Sequence, residues 1–251
     1  MKAEKIIITG GATRIGASIA KSLAGYDVQI TLHYNKSVKE VVKLKRELES
    51  YGSRVFIIKA DLSIMSQTKR IIPFAYKMMK GLDCLINNAS IFEKDDLINF
   101  SEKSFNKHMN VNLQAPAILT QNFKKFLKSK KGNIVNIIDQ RIFKLTPFFF
   151  SYTLSKTGLQ TLTKISAMKL APNIRVNGVA PGPTIKNKRQ SDKHFKKQWK
   201  SLILKEKVDP KNICETVKYF INNNSITGQI MSVDGGQSLA WQTPDIINIK
   251  E

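Results

Sequence analysis

KIIITGGATRIG, residues Lys5 to Gly16, is a short apolar run that passes through a glycine-rich turn into an amphipathic segment at 14–24. A strand, a glycine loop and a helix in that order place free N–H groups and the positive end of a helix dipole where a phosphate can reach them. Six further apolar runs follow: VQITLH (28–33), RVFIIK (54–59), CLIN (84–87), NIVNII (133–138), IRVNGVA (174–180) and GQIMSV (228–233). Helical patterns near 38–51, 66–80, 101–128, 151–170 and 210–222 separate them, the last with Asp209 as cap and Pro210 in the first turn. Buried strands alternating with helices predict an α/β fold, a doubly wound parallel sheet with helices on both faces. The stretch 183–208 is polar, basic and weakly periodic, which is long for a plain connection and is expected to form a flap over a site.

With 251 residues the chain suits one domain spanning 1–251. It lacks the roughly 20 consecutive apolar residues of a membrane span and a signal-peptide core, so a cytoplasmic location without membrane partners is expected. Cys84 and Cys214 are far apart and show no metal-ligand spacing, as packing residues would. The net charge of +22 admits nucleic acid as a partner. The lysines are spread along the chain instead of forming one patch, which favours a solvated basic surface.

The loop supplies Gly10, Thr13, Arg14, Ile15 and Gly16 as candidate ligands of a dinucleotide pyrophosphate, with Arg14 standing where the familiar spacing has a third glycine. The second strand ends HYNKS (33–37), without the acidic residue that would hold the ribose hydroxyls of NAD. Asn35, Lys36 and Ser37 instead offer donors to a 2′-phosphate, which predicts NADP(H).

A second signal is Tyr152 with Lys156 four residues on, on one helix face, and Asp139 thirteen residues before the tyrosine. Free tyrosine titrates near ~10. A cation ~4 Å away at an effective dielectric of about 20 contributes ~4 kcal/mol, enough to make the phenol an acid near neutrality. The pair is weak alone, since Tyr76 and Lys80 repeat it.

TGGATRIG, DLS (61–63), NNAS (87–90), Asn112, Tyr152 with Lys156, NGVAPGP (177–183) and VDGG (233–236) resemble, in order and spacing, the short-chain dehydrogenase/reductase family with its Rossmann-type fold. The resemblance covers nearly the whole chain. It implies that Asp61 and Leu62 flank the adenine, that Asn87 and Ala89 lie along the cofactor, that Asn112 holds a helix kink and a water leading to Lys156, and that Pro181-Gly182 faces the nicotinamide. It also implies a homotetramer built on 101–128 and 151–170. Arg14, Ser90 in place of glycine and Asp139 in place of the usual serine are similar to the pteridine-reductase branch, including bacterial dihydromonapterin reductases. That likeness implies that Arg14 and Ser90 help hold cofactor and pterin, that Phe92 stacks on the pterin, and that Asp139 joins Tyr152 as a catalytic acid.

The expected activity is therefore NADPH-dependent reduction of a small-molecule pterin. A carboxyl group fits it, because reducing a C=N bond requires a proton at nitrogen as well as hydride at carbon. Two other readings stand beside it. One is a carbonyl or 3-oxoacyl-thioester reductase of the same fold, whose basic flap (Lys186, Lys188, Arg189, Lys193) meets an acidic carrier. The other is a nucleic-acid-binding protein that has kept only the fold. The tail from Ser238 to Glu251, with Trp241, is expected either to cover the site or to reach a neighbouring subunit.

Overall fold

Alternation inside the first strand organises the protein. In a computed structural model, which describes residues 4–128, 130–187 and 189–241, β1 (Lys5–Ile8) points Ile6 and Ile8 to one face of a sheet and Ile7 to the other. The Ile6/Ile8 face packs on α1 (Arg14–Leu23), α2 (Val38–Ser50) and α9 (Pro210–Asn222). The Ile7 face packs on α4 (Ile71–Met79), α6 (Ala115–Leu127) and α7 (Phe150–Leu170). Both faces of the central strands are thus covered, which is why those strands read as largely apolar runs.

The remaining strands are β2 (Gln29–Tyr34), β3 (Arg54–Lys59), β4 (Cys84–Asn87), β5 (Gly132–Ile137), β6 (Ile174–Pro181) and β7 (Ile230–Val233). All pair in parallel in the order β3-β2-β1-β4-β5-β6-β7. The chain moves outward from β1 to β3 and then returns to β4 on the other side. A crevice opens at the carboxyl ends of β1 and β4, where the winding reverses. Cys84 and Cys214 are free and buried in this core. Among the described residues no helix is long and apolar enough to cross a membrane.

Three expectations about helices are corrected. The pattern at 66–80 is two helices, α3 (Met65–Thr68) and α4, with Pro73 in the first turn of α4, where its missing N–H costs least. The pattern at 101–128 is α5 (Glu102–Met109) and α6 joined by a π-helical turn, Asn110–Gln114. Pro116 cannot supply the N–H that a regular α-helix would send to the Asn112 carbonyl, and the wider turn relieves that conflict. The stretch 183–208 contains α8 (Asp192–Lys200), capped by Ser191, whose hydroxyl accepts from the His194 N–H at 3.1 Å. Phe195 is its only buried residue, so its apolar periodicity is faint.

Candidate functional site

The strand ends enclose a cavity of about 1060 Å³ that runs from Lys36 and Ser37 past the glycine loop to Asp139 and Tyr152. Gly10 has φ +60, and a Cβ there would stand 2.9 Å from the Ala89 backbone. At Gly16 a Cβ would overlap the Gly10 carbonyl oxygen, so both positions need glycine for close approach. Arg14 takes φ +54, the left-handed conformation a glycine would adopt easily.

The loop is pinned from two sides. The Thr9 hydroxyl accepts from the Asn88 and Ala89 N–H groups at 2.9 and 3.0 Å, and the Asn88 amide donates to the Thr9 and Gly10 carbonyls. On the other side the Gly10 N–H donates to His33 Nδ1 at 3.1 Å. His33 Nε2 lies 3.0 Å from the Ala60 carbonyl, which accepts its proton and fixes the neutral tautomer. Burial lowers the pKa of this imidazole and keeps it neutral. Thr9, Asn88 and His33 were not singled out from sequence as site residues. A histidine inside the apolar run VQITLH was the available signal.

Asn35, Lys36 and Ser37 line the far end of the cavity, together with Asp61 and Leu62. Ser37 stands at the N-cap of α2 without a side-chain bond to the helix and lines the cavity. The Asp61 carboxyl is held below its ordinary range by the Ser63 hydroxyl and N–H and is occupied at 2.7 and 2.9 Å. Donors at this end, a glycine cradle and helix N-termini suit a dinucleotide carrying an extra phosphate. Thr13, Ile15, Ala89, Pro181 and Gly182 line the same cavity.

At the other end Asp139 begins a 3-10 turn after β5, and its Oδ1 accepts the Arg141 N–H at 2.8 Å. The Tyr152 hydroxyl donates to Asp139 Oδ2 at 2.7 Å. Lys156 is 1 % exposed and donates to the Ile137 carbonyl at 2.8 Å, with Nζ 5.8 Å from the Tyr152 ring centroid. Burial brings the lysine pKa down to about 8 and raises that of the Asp139 carboxyl, against opposing pulls from Arg141, Tyr152 and Lys156. The expected acidification of Tyr152 by Lys156 is corrected: the phenol is pushed well above its ordinary value by burial and by the carboxyl it faces. Asp139 is thus a carboxyl raised above its ordinary range by burial, with the Tyr152 hydroxyl bonded to it.

Asn112 lies in the π turn behind the cavity wall, not in it. Its amide donates to the Ile91 carbonyl and the Ser155 hydroxyl, and its oxygen accepts from the Ser90 hydroxyl and the Ile91 N–H. It therefore sets the position of Ser90. The expectation for Asn87 is corrected: the side chain turns into the sheet and donates to Asn136 at 2.8 Å, while Asn88 and Ala89 face the cavity. Asn87 ends a strand buried on both faces, and its side chain falls on the inward position.

Arg14 reaches across the cavity, donating to the Ile185 and Lys186 carbonyls at 2.9 Å. Arg189 donates to the Phe92 carbonyl at 2.7 Å. These bonds tie the 183–208 stretch to the glycine loop and to the strand-end loop after β4; Lys188 lies outside the described residues. Phe92 stacks on Phe149 with centroids 4.3 Å apart and meets Tyr152 edge-on at 4.6 Å. Phe149 was not foreseen, and it covers one face of the ring expected to receive the substrate. Trp241 ends the described part of the tail and is 71 % exposed, with 242–251 outside it.

The family model described as short chain dehydrogenase matches residues 4–197. A crystal structure of FolM alternative dihydrofolate reductase 1 from Brucella suis in complex with NADP superposes with a TM-score of 0.92 at 39% identity, covering 96% of this chain and 97% of that one. A dihydromonapterin reductase of Enterobacter sp. (strain 638) is 24% identical over 237 residues, 93% of this chain and 96% of that protein. A 3-oxoacyl-[acyl-carrier-protein] reductase, FabG, of Buchnera aphidicola is 29% identical over 236 residues, 92% of this chain and 95% of that protein.

Proposed function

The chain belongs to the short chain dehydrogenase family, and from that premise we propose that it is an NADPH-dependent reductase of a pterin-type substrate. The observation that carries the substrate assignment is the buried carboxyl of Asp139, 2.7 Å from the Tyr152 hydroxyl, at the position between strand end and tyrosine helix where the chemistry must occur. The relatives named for dihydromonapterin and dihydrofolate support the same choice.

NADPH, when bound, supplies hydride to the carbon of the C=N bond. The chain's own residues manage the proton. Asp139, kept protonated beyond the ordinary carboxyl range by burial, gives its proton to the ring nitrogen. The carboxylate that results is stabilised by hydrogen bonds already in place from Tyr152 and the Arg141 N–H. Lys156 holds the Ile137 carbonyl and keeps a positive charge near the same carboxylate. Phe92 and Phe149 form an aromatic wall that a flat heterocycle extends by stacking. The 183–208 flap, held by Arg14 and Arg189, closes the site from above. Asn35, Lys36 and Ser37 take the 2′-phosphate. A homotetramer is part of the proposal, supported by the exposed apolar side chains Leu154, Ile165 and Met168 on α7.

NADPH oxidation followed with dihydropterins, dihydrofolate and acetoacetyl thioesters tests the reading. Turnover of the first two classes is expected, and a preference for the thioester would replace the proposal with the carbonyl-reductase alternative. Lys36→Ala is expected to weaken NADPH binding about tenfold, the size of one lost charge-assisted hydrogen bond. NADH binding should change much less in the same titration, and equal losses for both nucleotides would remove Lys36 from phosphate recognition.

The pH dependence has a definite sign. Asp139 must carry its proton to act, and its pKa is raised, so kcat/KM is retained on the acid side and lost as pH rises through that raised value. Tyr152, pushed above its ordinary value, contributes no loss near neutrality. A profile that rises with pH over the same window would show that the carboxylate, not the acid, is the working form.

A further inference from the structure

Around the Phe92–Phe149 stack stand two guanidinium groups, of which Arg141 also acts by its charge on Asp139. Arg141 Cζ lies 4.8 Å from the Phe149 centroid and 5.6 Å from that of Phe92. Arg189 Cζ lies 5.2 Å from Phe92 and 5.5 Å from Phe149. Cation–π contact engages the face of a guanidinium and leaves its in-plane N–H donors free to bond elsewhere.

Each arginine has five such donors. One on Arg141 reaches the Thr146 hydroxyl at 3.2 Å, and one on Arg189 reaches the Phe92 carbonyl. Among the described residues neither arginine has a carboxylate within ion-pair distance. Glu93, the acid whose charge Arg189 feels, is bonded to Lys107 at 2.7 Å. Lys94 lines the same cavity with the two arginines, and the lining carboxyl beside Tyr152 is Asp139.

Phe149 is fixed in this arrangement. It takes φ +62 and ψ +45, a conformation disfavoured for a bulky residue, and its N–H donates to the Asp95 carbonyl at 2.7 Å. The rings and the arginines beside them thus line one wall of the cavity. Phe92 touches Tyr152, which places this wall at the reacting end.

We propose that Arg141 and Arg189 form a subsite for an anionic group, carboxylate or phosphate, carried on the side chain of the reduced substrate. This rests on the pterin-reductase reading and makes it more specific: a substrate with an acidic appendage is preferred over one with a neutral hydroxyalkyl chain. The two arginines donate no proton; Arg189 acts on specificity, and Arg141 adds to that role its charge near Asp139.

The test compares kcat/KM for three dihydropterins, with a neutral hydroxyalkyl, a carboxylate-terminated and a phosphorylated side chain, at low and high salt. At least one acidic substrate is expected to exceed the neutral one by about tenfold at low salt, equivalent to about 1.4 kcal/mol, with the advantage shrinking as salt screens the contact. The acidic substrate that gains more identifies the source of the anion. Arg141→Gln and Arg189→Gln should each lower the acidic-to-neutral ratio, and Arg189→Lys should keep part of it. A wild-type ratio near one, or a ratio unchanged in both glutamine variants, would overturn the subsite while leaving the reductase standing. Turnover of none of the three overturns the reductase reading and the subsite with it. The wild-type ratio and its salt dependence require no variant to fold.

Discussion

Replacing Asp139 by Asn is expected to lower kcat for dihydropterin reduction by roughly 10²–10⁴-fold, the usual contribution of a positioned general acid. Asparagine keeps the shape of the side chain, and its oxygen can still accept from Tyr152 or from the Arg141 N–H, so the turn after β5 survives. What it lacks is a proton that can be given away. NADPH affinity, measured by fluorescence titration on the same preparation, should change little, because the carboxyl lies at the substrate end of the cavity. Tyr152→Phe should also cut kcat, but by less, since it removes one of two hydrogen bonds to Asp139 and leaves the acid itself. If Asp139→Asn turned over dihydropterin like the wild type, the acid would have to be sought elsewhere. Asp139→Ser adds a second comparison: the hydroxyl suits an oxygen-centred substrate, so any gain should appear with carbonyl compounds and not with dihydropterins.

The proposed roles at this end show where sequence reasoning stops. Tyr152 and Lys156 were suggested by helix spacing, but Tyr76 and Lys80 repeat that spacing, and only the likeness to the short-chain reductases and their pteridine-reductase branch singled them out together with Asp139. The direction of the tyrosine's pKa could not, since it depends on how close the carboxyl comes and how dry the pair is. Spacing fixed the lysine as a neighbour but gave no sign that its ammonium would bond the Ile137 carbonyl. The parallel strands were legible because burial on both faces writes an apolar run into the central ones, while β7 at the sheet edge keeps an apolar run without a buried residue. The break in 101–128 was written there too, in Pro116, but its width as a π turn depends on backbone that sequence does not specify. Phe149 and Arg141 became visible only when the chain between β5 and α7 folded them beside Phe92, which stands far from both in sequence. Asn87 was misassigned because neighbouring positions on a strand face opposite sides, and the motif does not say which of the two asparagines is turned inward.

Gly16→Ala is expected to weaken NADPH binding by about a hundredfold or more, or to destabilise the fold by about 1–3 kcal/mol, the usual cost of overpacking a well-filled site. The added methyl would overlap the Gly10 carbonyl oxygen and stand 2.5 Å from Asn88 Nδ2. Neither neighbour can retreat cheaply. Gly10 is held by His33 at its N–H and by Asn88 at its carbonyl, and Asn88 is held in turn by Thr9. Relief must therefore come from moving the first turn of α1 away from β4, which opens the cradle meant for the pyrophosphate. Gly25→Ala is the control: a Cβ there meets nothing within 4 Å, and its backbone needs no positive φ. Thermal unfolding and NADPH titration of both variants separate the two effects. Unchanged NADPH affinity in Gly16→Ala would mean that the helix can shift without disturbing the cofactor, and that the close packing at this glycine serves the fold alone.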